Sequence, residues 1–169
     1  IVTGSGNQGI TASVPVIRYA KHIGASDERL YRALLVSDLV TIHQKTGIGR
    51  LSAYCGAVSA GCGAGAGIAY LLGGDYRAIA HTIVNAVAIL SGTICDGAKP
   101  SCAAKIASAV EAGILGYYMY VNDQQFRGGD GIVAKGVENT IRNVGLLASQ
   151  GMKQTDRVIL NIMTGDQCL

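Results

Sequence analysis

The residues best suited to chemistry in this chain are thiols. Five cysteines occur in 169 residues, and four of them form two pairs of equal spacing, Cys55-x6-Cys62 and Cys95-x6-Cys102. Seven residues is close to two helical turns, so Cys55 and Cys62 share a face if their segment is regular. Neither pair has the CxxC spacing of a zinc ribbon or a thioredoxin-type redox site. Cys62, between Gly61 and Gly63, reads as a small buried hydrophobe. Cys95 does not. It stands in the polar turn Gly92-Thr93-Ile94-Cys95-Asp96-Gly97-Ala98-Lys99-Pro100, where Lys99 or the start of the next helix would stabilise a thiolate. Lys99 is a candidate base if desolvation lowers its pKa, and otherwise a ligand for a carboxylate. Asp96 either caps the helix beginning near Pro100 or orients Lys99. An odd cysteine count without a secreted-type framework points to free thiols or metal ligands in a reducing compartment, hence the cytoplasm.

A second constellation is Gly4-x-Gly6-x-x-Gly9, a literal GxGxxG before a helix. A dinucleotide site needs a strand before this motif and a second strand ending in an acid about 20 residues later. Glu28 falls near that place, but its surroundings are helical. What survives is the physics of the turn: successive glycines and a helix start offer backbone N–H groups to an anion. Ser5, Gly6, Asn7, Gln8 and Gly9 are therefore candidate substrate-binding residues for a carboxylate or phosphate. A plain tight turn is the simpler alternative. Among the three histidines, His22, His43 and His81, only His81 lies in the helix leading to Cys95, on one face with Asn85.

These groups must be positioned by helices, because apolar residues recur with helical period and alternating strand patterns are nearly absent. After a short extended piece and the glycine turn, a helix is expected from Thr11 to His22, with Pro15 tolerated near its first turn. Ser26 caps a second helix, with Asp27 and Glu28 in its first turn and Gly47 at its end. Residues 51–74 carry no charge. That length suits a membrane span of roughly 20 apolar residues, but seven glycines and few large aliphatic side chains suit a helix buried in a protein core better. Asp75 caps a helix over about 76–91, and Pro100 opens one reaching about Gly113. Gly128-Gly129-Asp130-Gly131 is a loop, and helices over about 132–149 and 155–163 complete the chain. The expected fold is all-α, a single domain over 1–169 with a buried Gly/Ala-rich central hairpin.

Composition agrees. Hydrophobic residues make up 49% and charged residues 15%, against about 25% charged in an ordinary domain, which excludes intrinsic disorder. The 24 glycines lack a Gly-X-Y period, which excludes collagen. The net charge of +3 is spread out, so no nucleic-acid surface is expected. Ile1 is not an initiator, so the chain reads as a fragment or processed form. Abundant apolar surface makes contact with a missing N-terminal part, or a homo-oligomer, the expected partner.

Ser52-Ala-Tyr-Cys55-Gly-Ala-Val-Ser-Ala-Gly-Cys62-Gly-Ala-Gly-Ala-Gly67 with Leu72-Gly-Gly74, and Gly92-Thr-Ile-Cys95-Asp-Gly-Ala-Lys-Pro-Ser-Cys102-Ala-Ala-Lys105, resemble the iron–sulfur L-serine dehydratase alpha-chain family. The CDGAK-type turn is similar to the cysteine desulfidase branch, and Gly4–Gly9 with Pro15 resembles the family's Gly/Asn loop. The resemblance covers nearly the whole chain and implies the C-terminal catalytic part of a longer protein. It implies a [4Fe–4S] lyase with an open iron as Lewis acid, which converts L-cysteine or L-serine to pyruvate and ammonia. The implied ligands are Cys55, Cys95 and Cys102, the last at a shorter spacing than in the serine dehydratases. A cysteine from the N-terminal part is the rival third ligand. The implied catalytic set is Lys99, Asp96 and His81, although no family histidine role carries over to His81. Cys168 reads as a tail thiol that softness matching would allow to visit the open iron. The alternative of a different class is a non-catalytic anion-binding module with structural cysteines.

Overall fold

A computed structural model describes residues 2–50 and 52–165. Seven α-helices form among them: α1 (Gly6–His22), α2 (Asp27–Ile48), α3 (Gly56–Leu71), α4 (Tyr76–Leu90), α5 (Cys102–Val121), α6 (Val137–Leu146) and α7 (Lys153–Thr164). Strands are absent among the described residues, as the helical periodicity predicts. No helix among them is long and apolar enough to cross a membrane.

The uncharged segment becomes α3, and nearly every residue of α3 is buried. The packing around it explains the glycines. Gly61 and Gly65 face α5, where an added Cβ would stand 2.5 Å from the Ala109 carbonyl carbon or the Gly113 Cα. Gly63 and Gly67 face α2, against Thr41, Ser37 and the Ala33 carbonyl oxygen. The neighbours thus meet α3 backbone to backbone, which only residues without a Cβ permit. Two apolar clusters flank this seam. Val16, Ala20, Ala33, Ile68 and Leu71 close one end. Tyr54, Val58, Ile83, Val87, Ile141 and Val144 close the other.

Two helix starts match their caps. Ser26 Oγ accepts from the Arg29 N–H at 3.3 Å, and Asp75 Oδ1 accepts from the Ala78 N–H at 2.9 Å. Asp75→Ala is expected to cost about 1 kcal/mol, the usual worth of such a cap. Urea unfolding of the full-length protein would read this as a lower midpoint at unchanged slope.

Four boundaries differ from expectation. α1 begins at Gly6 rather than Thr11, so Gly6–Gly9 are its first turn and Pro15 sits well inside it. The turn is confined to Val2–Ser5, where Gly4 adopts φ +91° against the Arg50 carbonyl. α2 runs past Gly47 to Ile48, and α5 starts two residues after Pro100 and continues through Gly113 to Val121. Residues 132–136 are not helical, because Asn143 Nδ2 donates to the Ile132 carbonyl and Thr140 Oγ1 accepts from the Ala134 N–H. Beyond α6 a π turn, Leu147–Gly151, leads into α7.

Candidate active site

The turn after α4 and the segment before α3 are clamped together. Cys55 N–H donates to the Thr93 carbonyl at 3.1 Å, and Cys95 N–H donates to the Ala53 carbonyl at 2.6 Å. This single antiparallel bridge, between Tyr54 and Ile94, sets Cys55 and Cys95 side by side with their thiols in hydrogen-bond reach. Cys55 is also the N-cap of α3, and Cys102 is the first residue of α5.

All three cysteines line one cavity of about 210 Å³. That is several times the roughly 30 Å³ share of one water, enough for a small ligand. Ser5, Asn7 and Gln8 at the start of α1 line it too, with Gly56 and Ala57 of α3 and Lys105 and Ile106 of α5. Three helix N-termini therefore converge on one space, each presenting the positive end of its dipole, although the Cys102 and Ala103 N–H groups of α5 are paired with the Lys99 and Pro100 carbonyls. Lys45 and Arg50 complete the wall. A wider groove of about 720 Å³, sharing Gly4, Lys45 and Arg50, adjoins it. The arrangement favours anions, both thiolates and a bound carboxylate.

The thiol pair shows this polarity. A hydrogen bond from Cys55 holds Cys95 down to about 6, helped by the Gly97 N–H and Lys105 and opposed by burial. The same bond, with burial, pushes Cys55 well up. One thiolate is thus shared by the pair near neutral pH. Lys105 Nζ is fixed by Asp96 Oδ1 at 2.6 Å and the Ile94 carbonyl at 3.0 Å. Lys99 Nζ takes the other oxygen, Oδ2, at 2.6 Å. Asp96 is held down to about 2, first by Lys105 and then by Lys99.

The sequence-derived candidates separate on this geometry. Cys55, Cys95, Cys102, Ser5, Asn7 and Gln8 come together, whereas Gly6 and Gly9 do not line the cavity and serve instead as helix residues. Asp96 orients the two lysines and does not cap α5, whose N-cap is Ser101. Lys99 and Asp96 stand outside the lining. His81 lies elsewhere, in a second cavity, with its ring stacked on Tyr120 at 4.9 Å. Burial, then Arg77, lowers its pKa. Cys62 is buried as expected, its thiol donating to the Ile83 carbonyl at 3.7 Å. His43 Nε2 is 2.7 Å from Glu138, away from the cavity lining. Cys168 lies outside the described residues.

Sequence reasoning missed Lys45 and Lys105. Lys45 is 5% exposed in the last turn of α2, and no ion pair or hydrogen bond of its ammonium is present among the described residues. Burial holds it below the usual lysine range, against the opposing pull of Cys95 and Cys55. Its sequence context, a cation closing a helix, is ordinary. Only the fold shows that α2 ends at the thiols.

The donor chemistry fits an iron–sulfur cluster in kind: three thiols on one wall, with N–H donors and cations that favour thiolates. Among the described residues no three His, Cys, Asp or Glu side chains are gathered closely enough to hold a metal ion as they stand. Cys102 is the outlier, with Sγ 3.5 Å from the Gly97 carbonyl and 3.5 Å from the Lys99 N–H. A complete set needs Cys102 to leave that turn, or a thiol from beyond these residues.

Fold and site together define an all-α protein built around a thiol-bearing, cation-lined pocket. The serine dehydratase alpha chain family matches residues 1–161, and the chain belongs to that family. It is 69% identical over 168 residues to a UPF0597 protein of Desulfitobacterium hafniense, covering 99% of this chain and 39% of that one. It is 55% identical over 163 residues to a UPF0597 protein of Lachnoclostridium phytofermentans, covering 96% and 39%. A UPF0597 protein of Treponema denticola is 52% identical over 164 residues, covering 97% and 38%. The chain thus spans about two-fifths of the length of these curated relatives. No solved structure matches it.

Proposed function

We propose that this cavity is the reaction site of an iron–sulfur lyase that eliminates the β-substituent of L-cysteine, and less readily of L-serine. The observation that carries the reading is the convergence of Cys55, Cys95 and Cys102 with Lys45, Arg50, Lys105 and the start of α1 on one small space. Family membership supports a serine dehydratase-related lyase, and the CDGAK-type turn at Cys95–Lys99 supports cysteine as the substrate.

In this reading Cys55 and Cys95 hold the cluster, with Cys102 or a thiol outside this chain as the third ligand. When bound, the cluster supplies a Lewis acid for the substrate's thiol or hydroxyl. The substrate carboxylate is held by the free N–H groups at the start of α1, with Asn7, Gln8 and Arg50. Lys45, unpaired and desolvated, takes the α-proton. Breaking Cα–H and Cβ–S releases sulfide and aminoacrylate, which adds water to give pyruvate and ammonia. Lys105, fixed by Asp96, keeps the site positive while sulfide leaves. Lys99 neutralises the second oxygen of Asp96, so Asp96 does not repel the substrate's carboxylate. The site lies within a cytoplasmic enzyme in this reading, completed by the rest of the longer protein or by a second copy.

The test is anaerobic reconstitution of the full-length protein, with iron and sulfide quantitation and a pyruvate assay on L-cysteine and L-serine. The expected result is bound iron and sulfide, with faster pyruvate release from L-cysteine. Full-length protein that binds no cluster and releases no pyruvate would overturn the reading. It would then favour a non-catalytic module holding a small anion at the start of α1.

A further inference from the structure

The second cavity, of about 340 Å³, lies between the first half of α4, the loop 126–136 and the start of α6. Its charged side chains are all cationic: Arg77, Arg127 and Lys135. None of the three is ion-paired among the described residues. The carboxylates nearest to them in sequence have other hydrogen-bond partners than these side chains. Asp75 accepts from the Ala78 N–H at 2.9 Å, Asp130 accepts from the Arg127 N–H at 2.6 Å, and Glu138 meets His43 at 2.7 Å. The cavity rim therefore carries three solvent-exposed cations without a side-chain ion pair among the described residues. His81 also lines this cavity, and its Nδ1 is buried without a hydrogen-bond partner.

The loop that forms one wall is preorganised. Phe126 N–H donates to the buried Asn85 Oδ1 at 3.0 Å, Gly129 N–H to the Val133 carbonyl at 3.0 Å, and Ala134 N–H to Thr140 Oγ1 at 3.1 Å. The rest of the lining is apolar or aromatic, with Tyr76, Val84, Phe126 and Val133. A bare inorganic anion would leave most of this volume unused. Two guanidinium forks and an ammonium match a doubly charged phosphate better than a single carboxylate.

We infer that this cavity binds an organic phosphate monoester, its phosphate on Arg77, Arg127 and Lys135 and its organic part against Phe126, Tyr76 and Val84. The inference stands apart from the lyase reading.

The test uses full-length protein and three probes: adenosine monophosphate, inorganic phosphate and adenosine. Thermal midpoints are followed against probe concentration, and affinities are read by calorimetry. Adenosine monophosphate is expected to raise the midpoint saturably, inorganic phosphate more weakly, and adenosine not at all. Each arginine removed, as Arg77→Gln or Arg127→Gln, should weaken the apparent affinity at least about tenfold, the scale of a charge-assisted hydrogen bond. Lys135→Gln, on the exposed loop, gives the same test with no risk to α4. Lys45→Met should leave the response intact, because Lys45 lines the other cavity. No saturable response to adenosine monophosphate, an equal response to adenosine, or a response unchanged in all three cavity variants would overturn the inference. So would a response lost in Lys45→Met alone, which would assign the phosphate to the thiol cavity.

Discussion

Lys45→Met is expected to lower kcat for β-elimination by about 10²–10⁴-fold, the range for loss of a general base, while KM changes far less. Lys45 is buried at the end of α2, lines the cavity with all three cysteines, and has no carboxylate partner among the described residues. Lys105 and Lys99, by contrast, are both tied to Asp96. Methionine keeps the unbranched volume and removes the amine, so the unfolding midpoint should hold near that of the parent. Lys45→Arg is the sharper variant. It keeps a cation for carboxylate binding but stays protonated, so kcat should remain low while KM is preserved. A variant in which KM rises and kcat survives would make Lys45 a carboxylate ligand instead. The pH profile carries the same sign. A base must be neutral to act, so kcat should rise with pH through the Lys45 ionisation. Burial places that ionisation below the ordinary lysine range. In Lys45→Met this limb should vanish.

Gly65→Val is expected to abolish the native fold or to remove most of its stability. Overpacking in a core ordinarily costs about 1–3 kcal/mol, because side chains shift to make room. At Gly65 the obstacles are backbone atoms: an added Cβ would lie 2.5 Å from the Gly113 Cα and 2.7 Å from its carbonyl carbon. Relief requires α3 and α5 to move apart along their length, which opens the seam at Gly61 and Ala109 as well. Gly92→Ala is the control, since nothing lies within 4 Å of a Cβ there, and it should change stability by no more than about 0.5 kcal/mol. Urea unfolding of both proteins separates a steric effect at the seam from a general effect of removing glycine.

Much of the fold was legible because its signals are local. Ser26 and Asp75 announce helix starts, and the charge-free run with dense glycine announces a buried helix. Where competing bonds decide, local signals failed. Gly4–Gly9 looks like a six-residue turn, yet the turn is Val2–Ser5, with Thr3 and Gly4 at positive φ, and Gly6 already begins α1. Residues 132–136 have helical periodicity, but Thr140 and Asn143 take their backbone groups out of a helix. The site was legible in its thiols and in the start of α1. Its lysines were not, because Lys45 and Lys105 acquire meaning only when α2 and α5 reach the clamp between Tyr54 and Ile94. Lys99 and Asp96 drew attention by standing beside Cys95 in sequence, although their side chains serve each other and Lys105. His81 drew attention by preceding Cys95, yet the helix carries it to a different cavity.

The backbone seam of α3 also has a consequence for how the protein comes into being. Each of its five glycines lowers intrinsic helicity, by about 0.5–1 kcal/mol relative to alanine, so α3 gains its order from neighbours rather than from its own residues. One neighbour, α2, precedes it on the ribosome. The other, α5, follows: Gly61 waits for Ala109, and Gly65 for Gly113. At roughly 5–20 residues per second, those last partners emerge several seconds later. During that interval the nascent chain exposes an uncharged, half-covered groove. Slower translation between α3 and α5 is therefore expected to lower the yield of folded protein, and chaperones that shield apolar nascent segments to raise it.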